Sequence, residues 1–206
     1  MFMPEGIEES EDNYQELKSI ANKNDVKLSR IEVNDKFSLD KASFEILSVK
    51  NNTDNNANES SIVIKLNYIQ TSYLFMGDAT QDIEKEINCN KVDVLKVGHH
   101  GSDTSSSSQF LNMVKPTYAI ISAGDNKKYN HPTEEVLQRL KQASIQENNI
   151  YVTKNHGTIW LTSNGKDIEI QTRNDINLDG TGQIGKVDIF NICSFFNHIN
   201  DSLLVC

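Results

Sequence analysis

Two short segments carry the residue types that could do chemistry. Tyr73-Leu-Phe-Met-Gly-Asp78-Ala is an apolar run ending in a carboxylate, and Val92-Asp-Val-Leu-Lys-Val-Gly-His99-His100-Gly-Ser102 is a second run ending in two imidazoles. A carboxylate and imidazoles together suit Zn, Mn or Fe, and a carboxylate can bridge two ions. Adjacent histidines after an apolar run are poor core filler. Gly77, Gly98 and Gly101 leave room for backbone to approach closely beside the ligands. In layered α/β proteins such groups sit where strands end and loops begin. Asp78 and one or both of His99 and His100 are therefore the candidate metal ligands.

The elements that must position them follow from periodicity. Leu74, Phe75 and Met76 read as one buried strand, and Val92, Val94, Leu95 and Val97 as another. Only one short helical stretch, 80–88, lies between, so the two strand ends can be neighbours. That helix begins just after Asp78, and its positive N-terminal end is expected to favour an anionic oxygen there. Upstream, 10–24 reads as a helix capped by Ser10, with Tyr14, Leu17, Ile20 and Ala21 at helical spacing. Val26 to Val33 reads as a strand. Phe37 to Leu47 reads as two strands turning at Asp40-Lys41, and 62–68 with 72–76 as a hairpin. The Asn- and Ser-rich stretch 50–61 is a loop whose C-terminal end, Asn58 to Ser61, reaches toward the site.

Downstream, Ser107 to Val114 is a helix burying Phe110, Leu111 and Val114. Tyr118 to Ser122 is a buried strand. Ser102, beside the histidines, is a candidate for substrate contact. His131 precedes the helix 133–142, with Pro132 read into its tolerant first turn. A helix N-terminus lowers the pKa of a histidine and favours neutral imidazole. The stretches 150–152, 158–161 and 168–170 are short strands, the last two a hairpin, with Trp160 expected against the sheet. His156 is expected in a solvent-facing turn.

These segments resemble, in order, the C-terminal half of a metallo-β-lactamase-fold hydrolase, nearest to the ComEC/Rec2-like competence group. Asn58-Glu-Ser-Ser61-Ile-Val-Ile-Lys-Leu, Tyr118-Ala-Ile-Ile-Ser-Ala-Gly and Asn130-His131-Pro-Thr-Glu-Glu-Val-Leu take part beside the two metal-type motifs. The likeness runs over 1–172. It implies an α/β fold, an incomplete αββα sandwich followed by a short helical tail. It also implies a two-metal Zn or Mn site acting on phosphodiester or phosphoester bonds, with Asp78 bridging the ions. His100 is then the ligand, and His99, His131, Ser102 and Asn58 serve substrate or support the ligands. The group's His-x-His-x-Asp-His motif is not in this sequence, whose five histidines are His99, His100, His131, His156 and His198. The resemblance places that motif upstream of Met1-Phe-Met-Pro4. The chain is accordingly expected to begin after its first half, to be inactive alone, and to work with a separately encoded N-terminal half if it works as an enzyme.

From Arg173 the character changes. Asp175-Ile-Asn177-Leu-Asp179-Gly180 opens like a calcium loop, with Asp188 as a later oxygen ligand and an apolar stretch beyond. This resembles one degenerate dockerin repeat, with Lys186 where an acidic ligand belongs. It implies calcium and a scaffold or surface partner, hence an extracellular or cell-surface location. The alternative function is a non-catalytic attachment protein. Composition sets outer bounds. The chain has 206 residues, 37% of them hydrophobic, and a net charge of −9, which disfavours direct nucleic-acid binding. Cys89, Cys193 and Cys206 form neither a disulfide framework nor a Cys-x-x-Cys metal site. No apolar run is long enough to span a bilayer.

Overall fold

The computed structural model describes residues 1–4, 12–50, 57–125 and 128–172. The candidate calcium ligands Asp175, Asn177, Asp179 and Asp188 lie outside the described residues, as does the Ser10 cap. The elements in chain order are β1 (Phe2–Pro4), α1 (Asp12–Lys23), β2 (Ser29–Ile31), β3 (Lys36–Leu39), β4 (Ala42–Ser48), β5 (Val63–Tyr68) and β6 (Thr71–Phe75). They continue with α2 (Gln81–Glu86), β7 (Val94–Lys96), α3 (Ser108–Val114), β8 (Tyr118–Ile121), α4 (Glu134–Gln142), β9 (Ile150–Val152), α5 (Thr153–His156), β10 (Ile159–Ser163) and β11 (Ile168–Thr172). Single 3-10 turns cover Ala57–Ser60, Gly98–Gly101 and Glu147–Asn149.

Seven strands form one sheet in the order β3-β4-β5-β6-β7-β8-β9. The first half is an antiparallel meander, and β6 to β9 run parallel. The expected α/β architecture is thus the one the chain adopts. The change of mode at β6 follows from connection length. Two residues, Ile69 and Gln70, turn β5 back into β6, whereas β6 and β7 are joined through α2, which permits a parallel return. Asp40 and Lys41 make the tight turn between β3 and β4, where Phe37 and Phe44 oppose each other and stack at 4.7 Å.

Parallel strands are buried on both faces. One face carries Leu74, Leu95, Val97, Ala119 and Ile121, covered by Ile83 of α2, Phe110, Leu111 and Val114 of α3, and Val136 and Leu140 of α4. The other carries Leu66, Tyr73, Val94 and Ile120, packed with Leu161 of the β10–β11 hairpin. Alternation along β6 sends Tyr73 one way and Leu74 the other. The parallel register pairs Leu74 with Leu95 and Phe75 with Lys96, so both strands stop level with one another.

Several local expectations change. The strand read over Val26 to Val33 shrinks to β2, because Val26 and Val33 are solvent-exposed. Pro132 lies ahead of α4 rather than in its first turn; Thr133 is the cap, its hydroxyl accepting the Val136 N–H. Trp160 faces outward at 38% exposure, while its neighbour Leu161 packs inward. His156 closes α5, half-buried, with Nδ1 3.0 Å from the Val152 carbonyl. Among the described residues, no helix is long and apolar enough to cross a membrane.

Candidate metal centre

Asp78 and the histidines meet because two loops are tied together at adjacent strand ends. After β6, Gly77 turns the backbone with φ +55, and a Cβ there would press on Ser61, 3.1 Å from its Cβ. The Asp78 N–H donates to Ser61 Oγ at 3.0 Å. The His99 N–H donates to the Gly77 carbonyl at 3.0 Å, which clamps the histidine turn onto the aspartate turn. His100 Nε2 then lies 3.4 Å from Asp78 Oδ1, with side-chain exposures of 35% and 29%. The pair is held, yet open to solvent.

The ring partners set the tautomers. His100 Nδ1 lies 2.8 Å from the Ser122 carbonyl. A carbonyl only accepts, so Nδ1 carries the hydrogen and neutral His100 presents a bare Nε2 lone pair. That lone pair faces a carboxylate oxygen, so two acceptors confront each other and call for a cation or a second proton between them. A carbonyl fixing the far nitrogen is also the usual support of a metal-binding imidazole. His99 is placed differently. Asn58 Nδ2 lies 3.4 Å from its Nε2, and Thr104 Oγ1 lies 3.1 Å from its Nδ1. Both nitrogens of His99 are engaged by protein groups.

The backbone here is strained. His99 and His100 both adopt left-handed conformations, with φ 47 and φ 53. The left-handed region costs a side-chain-bearing residue roughly 1–2 kcal/mol. Consecutive residues so held are over-determined by their surroundings, and such strain concentrates at functional sites. The surroundings are visible: Ser102 N–H donates to the His99 carbonyl at 2.8 Å, and Thr133 N–H to the Gly101 carbonyl at 2.9 Å.

The other candidates fall on two sides. Asn58 reaches His99, as above. The His131 ring centroid is 6.0 Å from that of His99, and its other neighbour is the Tyr129 ring, stacked at 5.9 Å. Burial, then the nearby His99 and His100, holds the His131 pKa below the ordinary imidazole value. A depressed histidine adds stability above its ordinary pKa of about 6.5, and that stability is lost as pH falls through the folded value. In an NMR titration His131 should protonate with a midpoint below the ordinary imidazole value of about 6.5; a midpoint above it would contradict the packing described.

Ser102 is 5% exposed, and its hydroxyl bonds Asp103 Oδ1 and Thr104 Oγ1 at 3.2 and 3.0 Å, which ties it into the loop. The N-terminus of α2 departs from expectation. That helix has six residues, and its Gln81 N–H goes to the Thr104 carbonyl at 2.8 Å, not toward Asp78. Ser61, at the end of the loop segment expected to reach the site, is a supporting group, and Thr104 and the Ser122 carbonyl are supporting groups that the sequence did not single out. Among the described residues, no group of three or more His, Cys, Asp or Glu is placed to hold a metal ion. Asp78 and His100 stand as a facing pair, not as part of a larger ligand cluster among the described residues.

No family model matches the chain. Over 164 residues, 77% of the chain, it is 33% identical to ComE operon protein 3 of Bacillus subtilis. The chain is a homologue of part of the ComEC-type competence proteins. It is also 40% identical over 99 residues, 47% of the chain, to Recombination protein 2 of Haemophilus influenzae, and 53% identical over 53 residues, 26% of the chain, to Competence protein ComA of Neisseria gonorrhoeae. The matches span 20%, 13% and 8% of those ComEC-type proteins. Among solved structures, one assigned as a metal-dependent hydrolase from Parabacteroides distasonis aligns with TM-score 0.44 and 13% identity over 69% of this chain and 61% of that one. A diphosphatase from the PhnP family aligns with TM-score 0.37 and 14% identity over 73% and 53%.

Proposed function

We propose that this chain supplies one wall of a metal-dependent phosphodiester or phosphoester hydrolase site. Asp78 and His100 hold one divalent ion, Zn or Mn, between them. The observation that carries this reading is the His100 Nε2 lone pair turned toward Asp78 Oδ1 at 3.4 Å, with the Ser122 carbonyl occupying the other nitrogen. When bound, such an ion supplies Lewis acidity toward a phosphoryl oxygen. The chain's own groups do the rest of the work. Ser61 holds Asp78 in place. Asn58 and Thr104 orient His99, which supports the ligand pair, with His131 beside it. The backbone hydrogen bonds around the strained histidine turn keep the two rings from relaxing away.

Two ligands are too few for efficient catalysis, so the remaining ones come from outside the described residues. An N-terminal half carrying the missing motif is the proposed source, and the chain by itself is inactive. Calorimetric titration with Zn should give weak one-site binding. His100→Ala and Asp78→Ala should each weaken it by more than the roughly 10–100-fold that loss of a merely supporting partner costs. Turnover of bis-p-nitrophenyl phosphate should be negligible with Zn or Mn. Zn binding unchanged in His100→Ala would overturn the assignment, and robust turnover lost in Asp78→Ala would show that the chain is self-sufficient.

A further inference from the structure

Helix α2 carries a carboxylate that the chemistry above does not use. Glu84 is 3% exposed. Its Oε1 accepts the Ser106 N–H, and its Oε2 accepts the Ser107 N–H at 2.8 Å. Ser106 has φ 56, which turns successive N–H groups toward one anion. On the opposite side Arg139 of α4 donates Nη2 to the carbonyls of Asp103 and Ser105, both at 2.9 Å. The loop 102–107 is thus gripped by its N–H groups from α2 and by its carbonyls from α4. The grip reaches the histidines through Ser105. Its buried hydroxyl lies 2.8 Å from the Gly98 carbonyl and 3.0 Å from the Ser102 carbonyl, the two ends of the histidine turn.

We infer that Glu84, with Arg139 opposite it, is a positioning residue that sets the direction of His100 Nε2 through the loop 102–107. A carboxylate suits this role because it offers an acceptor oxygen to each of two neighbouring N–H groups; an amide would set a donor against one of them. Stability alone is a weak reason for the arrangement. Burial disfavours the charge and pushes the Glu84 pKa up, against the pull of the Ser107 and Ser106 hydrogen bonds and of Arg139. Buried charges are poor stabilisers compared with apolar packing. Here the paired bonds to Ser106 and Ser107 fix one loop geometry. The use of that geometry rests on the metal reading; the geometry itself does not.

The test records long-range proton–nitrogen NMR spectra of the histidine rings in the full chain without metal, then Zn affinity by calorimetry. Variants are Glu84→Gln, Glu84→Ala and, as a destabilised control on the other face of the sheet, Leu66→Ala. The expected result is that both Glu84 variants mix the His100 tautomers and weaken Zn about tenfold, while Leu66→Ala loses stability and changes neither. Glu84→Gln keeps the result decisive should Glu84→Ala fail to fold. A wild-type ring signature and affinity in Glu84→Gln would overturn the inference and leave Glu84 a structural clamp. Should the wild type bind no Zn, the metal reading falls, and the ring signature still decides whether Glu84 directs His100.

Discussion

Gly101→Ala should lower stability by about 2–5 kcal/mol and abolish Zn binding. Two costs combine. Gly101 holds φ +79, where a side chain is strained by roughly 1–2 kcal/mol. A Cβ there would sit 2.6 Å from Pro132 Cβ, 3.1 Å from Pro132 Cα and 3.4 Å from Ile121 Cγ2. Pro132 is rigid and Ile121 is fully buried in the sheet, so the backbone itself must move, at the roughly 1–3 kcal/mol typical of overpacking. That backbone is the residue next to His100, and the Thr133 N–H to Gly101 carbonyl bond goes with it. Urea unfolding with a lowered midpoint and unchanged slope, together with Zn calorimetry, checks both parts. A loss below about 0.5 kcal/mol with binding intact would show that the histidine turn is not packed as described.

Leu95→Ala should cost about 2–5 kcal/mol, the range for emptying a fully buried leucine site. Leu95 is completely buried at the centre of β7, with Leu74 as its register partner on β6 and Ala119 on β8. The helices on this face are clamped from both sides, through Arg139 and Glu84, so collapse into the space is restricted and the upper part of the range is expected. The same register holds Asp78 and His100 level. Equilibrium unfolding gives the cost directly, and a value under about 1 kcal/mol would place the hydrophobic centre elsewhere.

The residues that could be read in advance are those whose signal is local. Leu74-Phe-Met and the apolar residues Val94, Leu95 and Val97 announce buried strands; that the two run parallel is seen in their register. The capped helices α3 and α4 follow from apolar spacing behind Ser107 and Thr133. The adjacency of Asp78 and His100 follows from one short crossover between two such strands. The rest depends on partners distant in sequence. Glu84 sits among Gln81, Asp82, Lys85 and Glu86 and reads as one more solvent-facing charge; only the loop 22 residues away buries it. Ser102 reads as a free hydroxyl beside two histidines until the loop turns it inward. Trp160 reads as a core aromatic, yet β10 presents Leu161 to the sheet instead. The support of the His100 ring by the Ser122 backbone carbonyl is something no residue type encodes.

The most direct measurement is a long-range proton–nitrogen NMR spectrum of the histidine rings, taken before and after adding Zn. Asp78 and His100 sharing one cation requires that His100 begin as the Nδ1-protonated tautomer and that its Nε2 resonance move on metal addition, while both nitrogens of His99 stay with their protein partners. An Nε2-protonated His100, or a metal response confined to His99, would contradict the account.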